Sequence, residues 1–135
     1  MQFSMNSIDL SYVSISYQEP VVCFRYKEGA ELGFPEIREL ISLSEKLSGL
    51  KPYLTFSDVR EKVNITNQGK LVLSDFNNMP LFRGSAILVK NDLYRFAAEF
   101  MNQFNKSKLP FKAFTSEEKA MKWLSSIPLQ FPLSS

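Results

Sequence analysis

The residues best suited to chemistry are a few polar side chains that follow predicted strands. Asp58 and Arg60 stand two positions apart at the end of an apolar run, where they could act as a charged binding pair. Thr66, with Asn64 and Asn67 beside it, stands where a helix is predicted to begin. The unpaired N–H groups of a helix amino terminus can receive an anion, so this group could bind a polar or charged ligand.

Other polar residues follow two further predicted strands. Lys90 and Asn91 come after the run that ends at Val89, and Thr115 comes after Phe114. In open parallel sheets, ligands collect beyond the carboxyl ends of the strands, so we expect all of these polar side chains to converge. The candidate binding surface comprises Asp58, Arg60, Asn64, Thr66, Asn67, Lys90, Asn91 and Thr115.

Part of this surface also has a purely structural interpretation. Thr66 can cap the helix that follows it, because its side-chain oxygen can accept a hydrogen bond from the first turn. Asp58 and Arg60 can form an ion pair within a loop without binding anything else. The sequence leaves both interpretations open.

The sequence favours binding over catalysis. It contains no histidine, which excludes Ser-His and Cys-His nucleophile pairs, His-ligated zinc and imidazole bases. Its single cysteine, Cys23, belongs to no metal-binding cluster, and its five glycines are isolated and form no phosphate-binding loop. We therefore expect no enzyme activity, no catalytic residue, no metal site and no cofactor.

Composition indicates one folded domain. The chain has 135 residues, of which 44% are apolar and 22% charged, as in ordinary globular proteins. The net charge of +2 comes from scattered basic residues, which argues against nucleic-acid binding. Neither an export signal nor an apolar run long enough to span a membrane is visible, so we expect a cytoplasmic location. Cys23, which has apolar neighbours, is predicted to be buried.

Sequence periodicity predicts strands that alternate with helices. The predicted strands cover 8–17, 21–27, 53–57, 85–89 and 109–114. The predicted helices begin near Phe34, Thr66, Asp92 and Ser116. This order indicates a single α/β domain over residues 1–127, with a mostly parallel four- to five-stranded sheet, an antiparallel edge hairpin and about four helices. An irregular tail is expected over 128–135.

Helix ends and faces are also predicted. Pro35 suits the first turn of the first helix, and Gly49 suits the left-handed position after its end. Asp92 is predicted to cap the third helix, and Thr115 or Ser116 the last. The apolar stripe of the third helix, predicted to pack in the core, is Leu93, Phe96, Ala97, Phe100, Met101 and Phe104. The inward face of the last helix is Ala120, Met121, Trp123, Leu124 and Ile127.

Three stretches are similar to a known domain group. They are the strand and its acidic end, Leu54–Arg60, the central strand Ala86–Val89, and the last strand with its helix, Phe111–Leu124. Over the span Val21–Ile127, the chain resembles the STAS and SpoIIAA-like group, in particular small bacterial STAS/SEC14-type domains of unassigned function. The resemblance implies a SpoIIAA-like fold and a compact regulatory or binding domain that acts through a protein partner.

The SEC14-type resemblance also implies an alternative, a small apolar ligand such as a lipid between helices and sheet. The 12 phenylalanines and five methionines would supply a soft, adaptable interior for it. A homodimer or partner surface could instead form from aromatic residues of the first hairpin, which we expect to be exposed. These residues are Tyr12, Tyr17 and Tyr26.

A third function implied by the resemblance is a phosphorylation switch. Anti-sigma-factor antagonists of this fold are phosphorylated on a Ser or Thr at the start of the corresponding helix, within the pattern Asp-Ser-Ser/Thr-Gly. Here the matching stretch is Asn64–Asn67, in which Thr66 keeps the hydroxyl while the acid before it and the small residue after it are replaced. Thr66 is therefore the candidate phosphorylation site.

Overall fold

Strands and helices alternate along the chain in a computed structural model, which describes residues 7–74, 79–102 and 109–129. The strands are β1 Ser7–Asp9, β2 Val13–Gln18, β3 Val21–Tyr26, β4 Ala30–Leu32, β5 Tyr53–Asp58, β6 Val63–Ile65, β7 Phe82–Leu88 and β8 Phe111–Phe114. The helices are α1 Phe34–Leu47, α2 Asn67–Ser74, α3 Asp92–Asn102 and α4 Glu117–Leu124. The predicted α/β class is confirmed.

The main sheet has the strand order β1-β2-β3-β5-β7-β8. β1, β2 and β3 pair antiparallel, whereas β3, β5, β7 and β8 run parallel to one another. The mostly parallel sheet and its antiparallel edge hairpin are therefore confirmed, with β7 in a central position as predicted.

The predicted strand count, four to five, is wrong because this sheet has six strands. The single strand predicted over 8–17 is divided into β1 and β2 by a tight turn. In that turn the backbone N–H of Leu10 donates to the carbonyl of Val13, at 2.8 Å. The irregular polar alternation near Val13 marks this turn.

A second, small sheet was not predicted. β4 and β6 pair in parallel, with Ala30 opposite Val63 and Leu32 opposite Ile65. Each strand has three residues, which is too short to show a period of two in the sequence. Asn64 therefore lies on a strand and not at the start of a helix.

Helix α1 begins and ends as predicted. Pro35 lies in its first turn, and the side chain of Glu36 accepts a hydrogen bond from the Gly33 N–H, at 2.9 Å. Gly49 follows the helix with φ +69°, a left-handed conformation that favours glycine. Ile37, Leu40 and Ser44 are the buried residues of this helix.

Helix α2 shows why its sequence contains a glycine. A Cβ atom on Gly69 would lie 2.5 Å from the carbonyl oxygen of Leu32 in β4, so no side chain fits there. The Thr66 side chain accepts a hydrogen bond from the Gly69 N–H, at 3.0 Å, and thereby caps the helix. The close approach of α2 to β4 thus offsets the low helix propensity of glycine.

The predictions for α3 need two corrections. Its cap is Asn91, whose side-chain oxygen accepts from the Tyr94 N–H at 3.2 Å, while Asp92 is the first helical residue. Leu93 and Phe96 are 75% and 65% exposed and Ala97 is exposed, so this part of the predicted core stripe is wrong. Periodicity identifies the apolar face of a helix but does not show whether another element packs against that face. Helix α3 packs beside the edge strand β8. The predicted side chains at 100, 101 and 104 lie outside the described residues.

Helix α4 agrees with its prediction. Ser116 is the cap, since its hydroxyl accepts from the Lys119 N–H at 3.3 Å. Ala120 and Leu124 are buried, and Met121, Trp123 and Ile127 pack against the same core. Residues 130–135 of the predicted tail lie outside the described residues.

The sheet buries a different apolar cluster on each face. Cys23, Leu54, Phe56, Ala86 and Leu88 pack with Ala120 and Leu124 on what we call the α4 face, which confirms the predicted burial of Cys23. Val13, Ile15, Phe24 and Tyr53 pack with Leu40 on the α1 face. Alternate residues of one strand serve opposite faces, because successive strand side chains point to opposite sides of a sheet.

Candidate functional site

A cavity of about 270 Å³ lies between α1 and the main sheet. Helix α1 contributes Ile37, Leu40, Ile41 and Ser44 to its lining, and β3, β5 and β7 form the sheet side. Residues of the small sheet and of the segment that leads into β8 complete the wall, namely Leu32, Val63, Ile65, Leu109, Pro110 and Phe111. The site is thus an apolar space inside the α1 layer.

Small residues on the central strands account for this cavity. Thr55 and Ser57 of β5, and Ser85 of β7, point to the α1 face and line it. On the α4 face, the same two strands carry the larger buried residues Phe56 and Leu88. Because strand spacing is fixed, short side chains in the middle of the sheet leave a gap beneath a helix that longer side chains would fill.

Hydroxyl groups supply the polar side chains of the lining. Thr55 donates to Ser85 at 2.9 Å, across two paired strands. Ser44 donates to the backbone carbonyl of Leu40 at 2.8 Å. The other polar lining residues are Tyr26, Tyr53 and Ser57, and no described lining residue is charged. The cavity therefore offers neutral hydrogen-bonding groups within an apolar wall.

The two lining tyrosines remain protonated at neutral pH. Burial raises the pKa of Tyr53 to about 12, with a further contribution from the charge of Glu45, while Ser44 acts in the opposite direction. Burial likewise raises the pKa of Tyr26 above its ordinary value, and the neighbouring Ser57 hydroxyl lowers it in part. Both side chains are uncharged hydrogen-bonding groups under physiological conditions.

A charged cluster lies at the carboxyl ends of β3 and β5. Asp58 accepts hydrogen bonds from Arg60 at 2.8 and 3.0 Å and from Arg25 at 3.2 Å. Arg25 also donates two hydrogen bonds to the carboxylate of Glu117 in α4, at 2.7 and 3.1 Å, which makes this a bidentate ion pair. Two arginines and two carboxylates thus satisfy one another, and the cluster ties α4 to the sheet.

Both carboxylates of this cluster are stabilised in their ionised forms. Burial alone would raise the pKa of Asp58, but the hydrogen bonds and charge of Arg60, with the charge of Arg25, outweigh it and lower the pKa. The Arg25 hydrogen bonds lower the pKa of Glu117 against a smaller opposing effect of burial. The cluster is therefore a set of ion pairs and offers no proton donor near neutral pH.

Only part of the predicted binding surface comes together. Asp58 and Arg60 form the predicted pair. Asn64 lies exposed on β6 and Asn67 exposed at the start of α2, with Thr66 between them as the helix cap. The contacts of Thr66 are those of a helix cap, and the contacts of Asp58 with Arg60 are those of an ion pair, as the structural interpretation expects. Asn64, Thr66 and Asn67 lie on or beside β6 and α2, apart from the Asp58 cluster.

The remaining predicted residues follow β7 and β8 at the same edge of the sheet as Asp58. Lys90 and Thr115 are exposed there, and Asn91 caps α3. Backbone hydrogen bonds hold this edge together, since Val59 N–H donates to the Leu88 carbonyl and Val89 N–H to the Phe114 carbonyl. These residues share a sheet edge, as the topology rule requires.

Sequence reasoning missed the two outer members of the charged cluster and the hydroxyls of the cavity. Glu117 lies in the first turn of a predicted helix and Arg25 lies within an apolar strand pattern, so neither position signals an ion pair. The hydroxyl residues did leave a signal, because Thr55, Ser57 and Ser85 are small polar residues in central strands. In a buried strand, such residues contribute less hydrophobic stabilisation than apolar residues do, so their presence in the middle of a sheet indicates a role other than core packing.

The expected exposure of the tyrosines in the first hairpin is wrong. Tyr12, Tyr17 and Tyr26 are half-buried against the α1-face core, and Tyr12 donates to Glu39 at 2.7 Å. In the described part of the chain, the large exposed apolar side chains include Leu93, Tyr94 and Phe96 of α3, so exposed apolar area lies on this helix instead.

Metal-binding clusters and membrane-spanning helices are both absent from the described residues. Within 7–74, 79–102 and 109–129, no group of three or more acidic or cysteine side chains is placed to hold a metal ion. Among the described helices, none has the length and apolar character needed to cross a membrane.

Comparison with known proteins places this geometry in a wider group. Residues 15–128 match the model of a family described as "Domain of unknown function (DUF7793)". No curated protein matches the chain. A solved structure from Shewanella loihica, described as an uncharacterized protein from the DUF3478 family with a SpoIIAA-like fold, is 21% identical, with a TM-score of 0.60. The match covers 83% of this chain and 91% of that one. The SpoIIAA-like fold expected from the sequence is confirmed.

Proposed function

The chain belongs to the DUF7793 family, and on that premise we propose that it is a non-enzymatic binding module that holds a small apolar ligand in the cavity beneath α1. The observation that carries this proposal is the cavity itself, about 270 Å³ in volume with an apolar wall. Ligand sites in small domains are typically concave, mostly apolar and equipped with a few placed polar groups.

The volume of the cavity suits a ligand of modest size. An engineered core cavity of roughly 150 Å³ is large enough to bind benzene, and the present cavity is larger. Lining atoms that face such a space lack packing partners, so a ligand that fills it would gain contacts with them and stabilise the folded chain.

The contacts of the charged residues support binding in preference to catalysis. The described lining supplies hydroxyl groups without a charged partner, and the Asp58 cluster consists of carboxylates that are already paired with Arg25 and Arg60. A general base needs a pKa near the operating pH and access to a substrate proton. Asp58 has a lowered pKa and its oxygens face two guanidinium groups.

A cavity-filling variant tests the proposal. In Ser85→Leu, the added methyl groups should occupy the cavity, raise the melting temperature of the ligand-free protein and abolish binding of a neutral aromatic probe such as 1-naphthol. The matched control is Ser42→Leu, the same replacement at an exposed position of α1. Isothermal calorimetry measures the affinity. Unchanged probe binding in Ser85→Leu, or no probe binding to the wild-type protein, contradicts the proposal.

A second candidate function is supported by α3. Leu93, Tyr94 and Phe96 are exposed on it at 75%, 56% and 65%, and exposed apolar residues on one helix are typical of contact surfaces. This surface would bind a protein partner or a second copy of the chain. Light scattering tests the homodimer: the wild-type chain should dimerise and Phe96→Lys should be a monomer. A wild-type chain that is monomeric at 100 µM would rule out the homodimer and leave a different protein as the partner of this surface.

A further inference from the structure

We infer that the cavity selects an uncharged ligand with a hydrogen-bonding group, such as an alcohol or ketone on an apolar body, and rejects the matching carboxylate or phosphate. This inference rests on the proposed function and specifies the ligand class for the same site. Two observations support it: the polar side chains of the described lining are all hydroxyls, and the charged side chains near the cavity lie outside that lining.

The sheet side of the cavity contains a local patch of hydroxyls. Thr55 and Ser85 lie opposite each other on β5 and β7, and Ser57 lies one pleat further along β5. The Thr55 and Ser85 hydroxyls share one hydrogen bond, at 2.9 Å. That bond uses one of their two hydroxyl hydrogens, so the pair can donate the other to a ligand oxygen or accept a hydrogen bond from a ligand hydroxyl.

Charged side chains near the cavity are directed elsewhere. Strand alternation places Arg25 and Asp58 on the α4 face, where they pair with each other. Arg83 precedes the hydroxyl patch on β7, and its guanidinium donates to the backbone carbonyls of Pro80 and Phe82. Neither arginine is part of the described lining, so a ligand carboxylate would meet no cation among the lining residues that the structure describes.

One charge that acts on a lining residue has the wrong sign for an anion. Glu45 acts on Tyr53 and helps to keep it protonated, which is the effect of a negative charge. A carboxylate in the cavity would face the same repulsion and would lose its hydration without a compensating partner. Because a charge without a partner would lose its hydration there, we expect at least a 100-fold preference for the neutral ligand.

A matched series of eight-carbon ligands tests the inference. Calorimetry at pH 8 should give measurable binding of 1-octanol, weaker binding of octane, and binding of octanoate at least 100-fold weaker than that of 1-octanol. Lowering the pH to 4.5 should strengthen octanoate binding, because the acid becomes partly neutral, while 1-octanol is unaffected. Octanoate binding as tight as that of 1-octanol at pH 8 overturns the inference and leaves the proposed cavity function standing.

Two variants locate the effect in the hydroxyl patch. Ser85→Ala and Thr55→Val should weaken 1-octanol binding about tenfold, since each removes one neutral hydrogen bond, and leave octane binding unchanged. Ser42→Ala, on the exposed side of α1, is the control and should bind all ligands as the wild-type protein does. Unaltered 1-octanol binding in both patch variants contradicts the inference. Failure of the whole series to bind the wild-type protein refutes the proposed function and, with it, the inference.

Discussion

The two faces of the main sheet differ in how their middle is filled. On one face, Phe56, Ala86 and Leu88 lie fully buried beneath α4. On the other face, Thr55, Ser57 and Ser85 line a cavity beneath α1. The same strands, β5 and β7, supply both sets of side chains. The difference between a filled core and a cavity therefore depends on side-chain volume at alternate positions and needs no change of backbone architecture.

The two faces also differ in what holds their helices in place. Helix α4 is fixed by packing and by the Arg25–Glu117 ion pair at its first turn. On the α1 face, helix α2 rests on β4 through the close approach at Gly69 and on the Thr66 cap. Helix α4 is thus held by a filled core and an ion pair, whereas the short elements β4, β6 and α2 stand beside α1 and the cavity.

The largest expected difference between the faces is in how much free energy of unfolding is lost when a phenylalanine ring is removed. Phe56→Ala, at a fully buried position of the α4 face, should lower the free energy of unfolding by about 4 kcal/mol. Phe111→Ala, at a half-buried position of the cavity wall, should lower it by about 1 kcal/mol because the ring already borders empty space. Urea denaturation measures both values. Equal costs would show that the cavity side is as tightly packed as the α4 face.

Adding volume should have opposite effects on the two faces. Ala86→Leu inserts a larger side chain beneath α4 and should destabilise the protein by about 2 kcal/mol through overpacking. Ser85→Leu, one residue earlier and on the cavity side, should stabilise it by about 1 kcal/mol because the added carbons become buried. The same denaturation experiment decides the sign. If both variants lose stability, the space beside Ser85 is not available to a side chain.

The charged cluster gives the α4 face a dependence on pH. The folded-state pKa values of Asp58 and Glu117 lie below those of the unfolded chain, so their stabilisation is present above about pH 4.5 and is lost as the pH falls through the folded values. Asp58→Asn should cost about 1.5 kcal/mol at pH 7, a typical value for charge-assisted hydrogen bonds. This cost should shrink below pH 4. A difference from the wild-type protein that stays constant down to pH 2.5 would contradict the assigned ion pairs.

Most of the main sheet was predictable because its elements are long and their periods distinct. The central run at 85–89 and the helix that begins at Phe34 each show many matches to one template, and both are confirmed. β4 and β6 were missed because three residues carry too little pattern. The burial of α3 was mispredicted because the amphipathic period of Leu93 and Phe96 does not specify the surface that meets them.

The candidate site was less predictable than the fold. The pairing of Asp58 with Arg60 follows from their spacing, but Arg25 and Glu117 are 92 residues apart in the chain and meet only through the strand order. The cavity depends on which side chains share a face across β5 and β7, and that relation appears only once the parallel register is known. Long-range register is thus the information that local periodicity lacks.

The smallest expected effect concerns the cap of the layer that borders the cavity. Thr66→Ala removes the acceptor of the Gly69 N–H and should lower the free energy of unfolding by about 1 kcal/mol, whereas Thr66→Ser keeps the hydroxyl and serves as the control. Hydrogen exchange should show faster exchange of α2 amides in Thr66→Ala with unchanged protection of α4, because the two helices lie in separate layers. A loss of protection in both helices would show that the two faces unfold as one unit. Local opening of α2 alone would establish that the layer around the cavity can loosen while the α4 face stays packed, which a ligand needs in order to enter.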